Sequence, residues 1–208
     1  MRRAIRRAPA FVAVAVAMAA SIGPAAARAS QPDPGAAIVV VDRDDVVVSG
    51  SVLVQFTGVP IEDVNGDGVL HIEGDGSVVR LLGTLRGAAA STAPEDMQGI
   101  GIRVRGTGIS IAGGLIEGFR VGLDAQGTDG LAIVETRFEN GRRDRLASTP
   151  EAEAAADWLR PHENDAGEWA ERYGAALRVT DARDVSIRDV TVRSWQNGLL
   201  LERVTDSV

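Results

Sequence analysis

Cysteine is absent from these 208 residues, so neither a disulfide nor a lipid-bearing cysteine can occur, and stability must come from packing alone. Lysine is absent too. All 22 basic side chains are arginines, which removes Schiff-base and lysine-nucleophile chemistry. Positive charge is scarce overall, with a formal net charge of -7. If residues 1–29 are removed, five arginines (2, 3, 6, 7 and 28) and no acids are lost, and -7 becomes -12. Such a chain is a poor partner for nucleic acid, whose binding rests on neutralised phosphates. An acidic polysaccharide can be bound only through a local cluster of arginines. Aromatic residues are few: four phenylalanines, three tryptophans and one tyrosine.

Long hydrophobic runs are also missing, with one exception at the N-terminus. Arg2, Arg3, Arg6 and Arg7 precede an apolar stretch from Ala10 to Ile22, followed by Ala27-Arg28-Ala29, a small-x-small cleavage site. This reads as a secretory signal peptide over 1–29, because 13 apolar residues are too few for an ordinary membrane span. No integral membrane segment is expected after cleavage, and the location implied is secreted or periplasmic. Residues 30–208 are enough for one domain with a sizeable core.

What the sequence does contain is an echo at 21 to 22 residues. Gly101-Ile102-Arg103-Val104, Gly122-Leu123-Asp124-Ala125, Ala176-Leu177-Arg178-Val179 and Gly198-Leu199-Leu200-Leu201 open successive copies. A second apolar block recurs as Ile109/Ile111, Leu131/Ile133 and Val185/Ile187, and a third as Ile116, Phe138 and Val190/Val192. Apolar residues two apart share one face of a strand, so three blocks per period predict three short strands per coil. So short a repeat cannot bury its own apolar face and must stack on its neighbours. The prediction is an all-β right-handed parallel β-helix starting near Ala36. A leucine-rich repeat has a similar period, but its L-x-x-L-x-L-x-x-N pattern does not fit. Turn residues stand between the blocks, as in Gly127-Thr128-Asp129-Gly130 and Thr180-Asp181. The chain stops at Thr205-Asp206-Ser207-Val208 with no polar cap, so truncation at the C-terminus is expected.

From 141 to 173 the strand pattern gives way to charged, helix-forming sequence. Ser148 to Glu151 predicts a capping box opening a helix to about Leu159, and Asp165 with Glu168 predicts a second helix ending at Gly174. Function on repeat scaffolds concentrates in such insertions. Asp157, His162 and Glu163 have no obvious capping duty and are the candidate acid, base or metal-ligand groups. Arg142, Arg143 and Arg145 could neutralise a uronate carboxylate. Trp158, Trp169, Tyr173 and Trp195 lie in or just after the insertion, either as an aromatic platform for sugar rings or as apolar glue against the coils. Asp63-Val64-Asn65-Gly66-Asp67-Gly68 matches the first half of a calcium loop, with Gly74 where its bidentate acid is required and Glu73 and Asp75 on either side. A plain Asx-rich turn is the alternative. Asn140 and Asn197 are placed as an amide ladder, and His71 has no assigned role.

The coil pattern Gly-Leu-x-(Val/Ala) followed by Val-x-Ile, together with Asp157 to Asp165, resembles right-handed parallel β-helix proteins of the pectate-lyase-like superfamily, over roughly residues 36–208. The resemblance implies a secreted bacterial repeat protein that binds or acts on polysaccharide in a groove along the outer face of one sheet. Relatives by fold include lyases, hydrolases, esterases and epimerases, and none of their catalytic constellations aligns here residue by residue. Two functions stand: a carbohydrate-active enzyme using the groove beside 141–173, or a non-catalytic surface or matrix protein binding glycans or cells.

Overall fold

The computed structural model describes residues 35–157 and 167–208. The segment read as a signal peptide lies outside them. The described chain is mostly parallel β-sheet, in two sheets between which it passes back and forth. One sheet has nine strands: β1 (Ala37–Val41), β3 (Ser51–Phe56), β4 (Pro60–Ile61), β6 (Val78–Gly87), β8 (Ser110–Glu117), β10 (Ala132–Val134), β11 (Arg137–Glu139), β13 (Ser186–Arg188) and β14 (Thr191–Arg193). The other has six, in the order β2 (Val46–Val48), β5 (Leu70–Glu73), β7 (Ile100–Arg105), β9 (Val121–Gln126), β12 (Ala175–Thr180) and β15 (Leu199–Glu202).

The periodic positions of the sequence become columns of stacked side chains. Leu70, Ile102, Leu123, Leu177 and Leu199 are register partners across the six-stranded sheet. In the other sheet Ile111, Ile133 and Ile187 align, as do Ile116, Phe138 and Val192. Apart from the exposed Leu199, these columns join one apolar cluster, in which Ile102, Leu123, Leu177, Ile111, Ile133, Ile116 and Phe138 are fully buried. Parallel strands covered on their inner face by such columns draw most of their stability from apolar burial.

The second and third blocks do not form separate sheets. Strand β8 runs through both, bending at Gly113 and Gly114, whose φ angles are 81° and 76°. The same corner is made in the next copies by Glu135 (φ 54°) and Asp189 (φ 52°), and there the strand breaks in two. A left-handed residue turns the chain without ending the sheet.

The small residue that opens each copy has a steric cause. A Cβ on Gly122 would lie 2.5 Å from the Ala176 carbonyl oxygen and 2.6 Å from the Phe138 ring, and one on Gly101 would lie 2.7 Å from the Gly122 carbonyl oxygen. Stacked backbone and the column beneath leave no room for a side chain.

The insertion differs from expectation. Helix α1 (Glu168–Tyr173) forms where the second helix is predicted. The first does not form over the described residues. Ser148 Oγ accepts the Ala154 N–H, Thr149 Oγ1 accepts those of Glu151 and Ala152, and only a 3-10 turn at Ala155–Asp157 follows. Nor is there an amide ladder. Asn140 stacks on Ser194 rather than Asn197, with Nδ2 donating to the Ala90 carbonyl, while Asn197 donates to Gly174. Among the described residues no helix is long and apolar enough to cross a membrane.

Candidate functional site

Alternation along the six-stranded sheet sends every second side chain outward, and parallel register sets these in rows across the strands. One row reads Val47, His71, Arg103, Asp124, Arg178 and Leu200. Asp124 faces out yet is only 2% exposed, because an arginine covers it from each side. Its Oδ2 lies 2.6 Å from Arg103 Nη1 and its Oδ1 lies 2.5 Å from Arg178 Nε. Arg103 is held further by Nε donating to the Asp67 carbonyl at 3.0 Å. Charge-assisted pairs of this geometry are the strong ones, and removing the central carboxylate would leave two guanidinium groups side by side.

The row continues toward the insertion. Arg120, just before β9, lies within electrostatic reach of Arg178 and Arg142, and donates from Nη1 to the Glu171 carbonyl at 3.0 Å. Burial first, and then the charges of Arg178 and Arg142, lower its pKa from the ordinary guanidinium value. Arg142 donates to the Met97 carbonyl and to Asp144 Oδ1, both at 3.2 Å, and Arg172 reaches Asp144 Oδ2 at 3.2 Å. The Nε atoms of Arg120 and Arg142 are buried without a hydrogen-bond partner. Arg103, Arg178, Arg120, Arg142 and Arg172 thus form a strip of five guanidiniums, paired with Asp124 and Asp144 and with Glu171 and Asp63 in electrostatic reach of Arg120. A hollow of about 230 Å³ beside Arg103, Asp124 and Arg178 is lined also by Gln126, Glu202 and Arg203, the last paired with Asp181 and Glu202. Forked guanidiniums on a rigid sheet recognise planar anions such as carboxylates.

Among the residues predicted from sequence, Arg142 belongs to this strip, whereas Arg143 and Arg145 are exposed beyond it. Asp157 turns inward on its own loop: its carboxylate accepts the N–H of Ala147 at 2.9 Å and of Ser148 at 2.6 Å. A hydrogen bond with the Ser148 side chain, then that from Ala147, holds its carboxyl below the ordinary aspartate range. His162, Glu163 and Trp158 lie outside the described residues, as does the Trp169 side chain. Tyr173 is half-buried, with the Arg172 guanidinium 5.1 Å from its ring centroid. Trp195 packs against the apolar core, over Gly141, whose added Cβ would lie 2.2 Å from the indole. That is the contact of a residue joining the insertion to the sheets.

The loop at Asp63 closes on itself. Asp63 Oδ1 accepts the N–H of Gly66 (2.9 Å) and Gly68 (3.2 Å), and its Oδ2 accepts that of Ile100 (2.7 Å). Asp75 is spent on the Thr107 N–H at 2.8 Å. These are the bonds of an Asx-rich turn rather than a set of oxygens gathered on calcium.

Sequence reading passed over Arg103, Asp124 and Arg178, although each is the third residue of a repeat opener. Reading down that one position, instead of along the chain, gives arginine, aspartate, arginine. No family model, no curated protein and no solved structure matches this chain.

Proposed function

We propose that the two parallel sheets are walls of one right-handed parallel β-helix of the pectate-lyase-like kind, and that this secreted protein binds acidic polysaccharide along the outer face of its six-stranded sheet. The observation that carries the reading is the register-aligned Arg103–Asp124–Arg178 row with Arg120 beside it. In a chain of net charge -7 these arginines gather on one face, where successive uronate carboxylates could meet successive guanidiniums. The N-terminal pattern of residues 1–29 supports export. Binding is favoured over catalysis because Asp157, the one predicted acid among the described residues, is held by backbone N–H groups, and the Asp124 of the row is held by two arginines. A lyase, hydrolase or epimerase would need a free acid–base pair facing the groove.

The test is titration of the full chain with polygalacturonate and with a neutral glucan. The acidic polymer is expected to bind, more weakly as salt rises, and the neutral one not. Arg178→Lys keeps the charge and loses the fork, so affinity is expected to fall about tenfold, a difference of about 1.4 kcal/mol. Equal binding of both polymers, or unchanged affinity in Arg178→Lys with its β-sheet circular dichroism intact, would sink the reading.

A further inference from the structure

Beyond Arg103 the outward row ends in a different chemistry. His71 points outward from β5 but is only 6% exposed. Its Nε2 lies 3.1 Å from Asp67 Oδ1 and 3.7 Å from Asp45 Oδ1, and the three ligand atoms lie within 4.8 Å of one another. Asp45 directly precedes β2, and Asp67 belongs to the loop leading into β5. Two strands and a loop are needed to bring the three together.

Two features separate this from an ordinary surface patch of acids. One imidazole nitrogen carries at most one proton, so Nε2 can hydrogen-bond to only one of the two carboxylates it faces. A metal ion engages all three at once. The carboxylates also lack side-chain ion pairs with arginine, although Arg103 Nε donates to the Asp67 carbonyl and Arg120 is in electrostatic reach of Asp63. Among the described residues, no arginine forms an ion pair with Asp44, Asp45, Asp63 or Asp67, and Asp44 keeps a buried Oδ1 without a partner.

The ligand types indicate the class of ion, and the spacing is compatible with it. Around a tetrahedral ion with bonds of about 2.0 Å, ligand atoms stand about 3.3 Å apart. The two distances from His71 Nε2, 3.1 and 3.7 Å, lie either side of that value, and the two carboxylate oxygens lie within 4.8 Å of each other. Calcium takes six to eight oxygens, whereas one imidazole and two carboxylates suit a borderline transition ion. Asn65 Nδ2 donates to Asp45 Oδ1 at 3.2 Å and would orient that ligand. We propose that Asp45, Asp67 and His71 bind one divalent ion of the zinc class, with a further position open to solvent on the exposed Asp45 side. The site is independent of what the arginine row binds.

The experiment uses tag-free full chain, stripped with chelator and titrated with cobalt(II), followed by its visible d–d bands and by calorimetry. One equivalent is expected to bind, to be displaced by zinc(II), and to be weakened at least about tenfold by Asp45→Asn and by His71→Gln. Asp45 is exposed, so Asp45→Asn is the variant least prone to misfold, and circular dichroism checks both. Absence of uptake by the intact chain overturns the site. So does uptake undiminished in folded Asp45→Asn and His71→Gln, which would place the ion at His162 or elsewhere, and so does equal competition by calcium.

Discussion

At Gly122 a single methyl group decides whether two strands can stack. Its place would fall within 2.6 Å of both a neighbouring carbonyl and the Phe138 ring, and neither is the free end of a flexible chain. Gly122→Ala is therefore expected to cost about 1–3 kcal/mol, read as a lowered denaturant midpoint at unchanged slope. Gly127→Ala is the contrast. Nothing lies within 4 Å of its added Cβ, and its φ of 63° alone sets a cost of about 1 kcal/mol. The small openers were legible in the sequence as a pattern. Their cause was not, because the ring that excludes the methyl group lies on another strand, and only register brings it close.

Among the elements, the insertion shows how local polar contacts override helix signals. Ser148, Thr149 and Glu151 carry the letters of a capping box, but the two hydroxyls accept N–H groups within a tight turn instead. Asp157 then ties the start of that turn. Its carboxyl is held below the ordinary range, so the folded loop takes up a proton less readily than the unfolded chain. Its contribution is complete above the ordinary aspartate range and is lost as pH falls through the lowered value. The amide resonances of Ala147 and Ser148 are expected to shift on acidification below about pH 4, and to stay flat there in Asp157→Asn. Helix α1 was legible because Gly174 follows it and Glu168, the residue where its start is expected, opens it. The fate of the 148–157 segment was not, since it turns on which of two competing acceptors each N–H finds.

Across the whole molecule, stability should be graded along the stack, since each strand is held by its parallel neighbours. Hydrogen exchange is expected to be slowest at Ile100–Arg105 and Val121–Gln126, which are paired on both sides, and fastest at Ala37–Val41 and Leu199–Glu202, each paired on one among the described residues. Uniform protection across all four would argue against nearest-neighbour stacking. The all-β character and parallel stacking were legible from the apolar period alone, because burial repeats with it. The arginine strip was not, because an outward charge reads the same in sequence whether it meets water or a partner on the neighbouring strand of the sheet. Repeats of a stacked architecture are usually regarded as interchangeable units, to be added or removed in whole lengths. Here the alternating signs across three strands forbid that. Excising the strand that carries Asp124 would set Arg103 directly beside Arg178, about 4.8 Å away, so the array has a charge phase as well as a length, and the central unit cannot be dropped without breaking it.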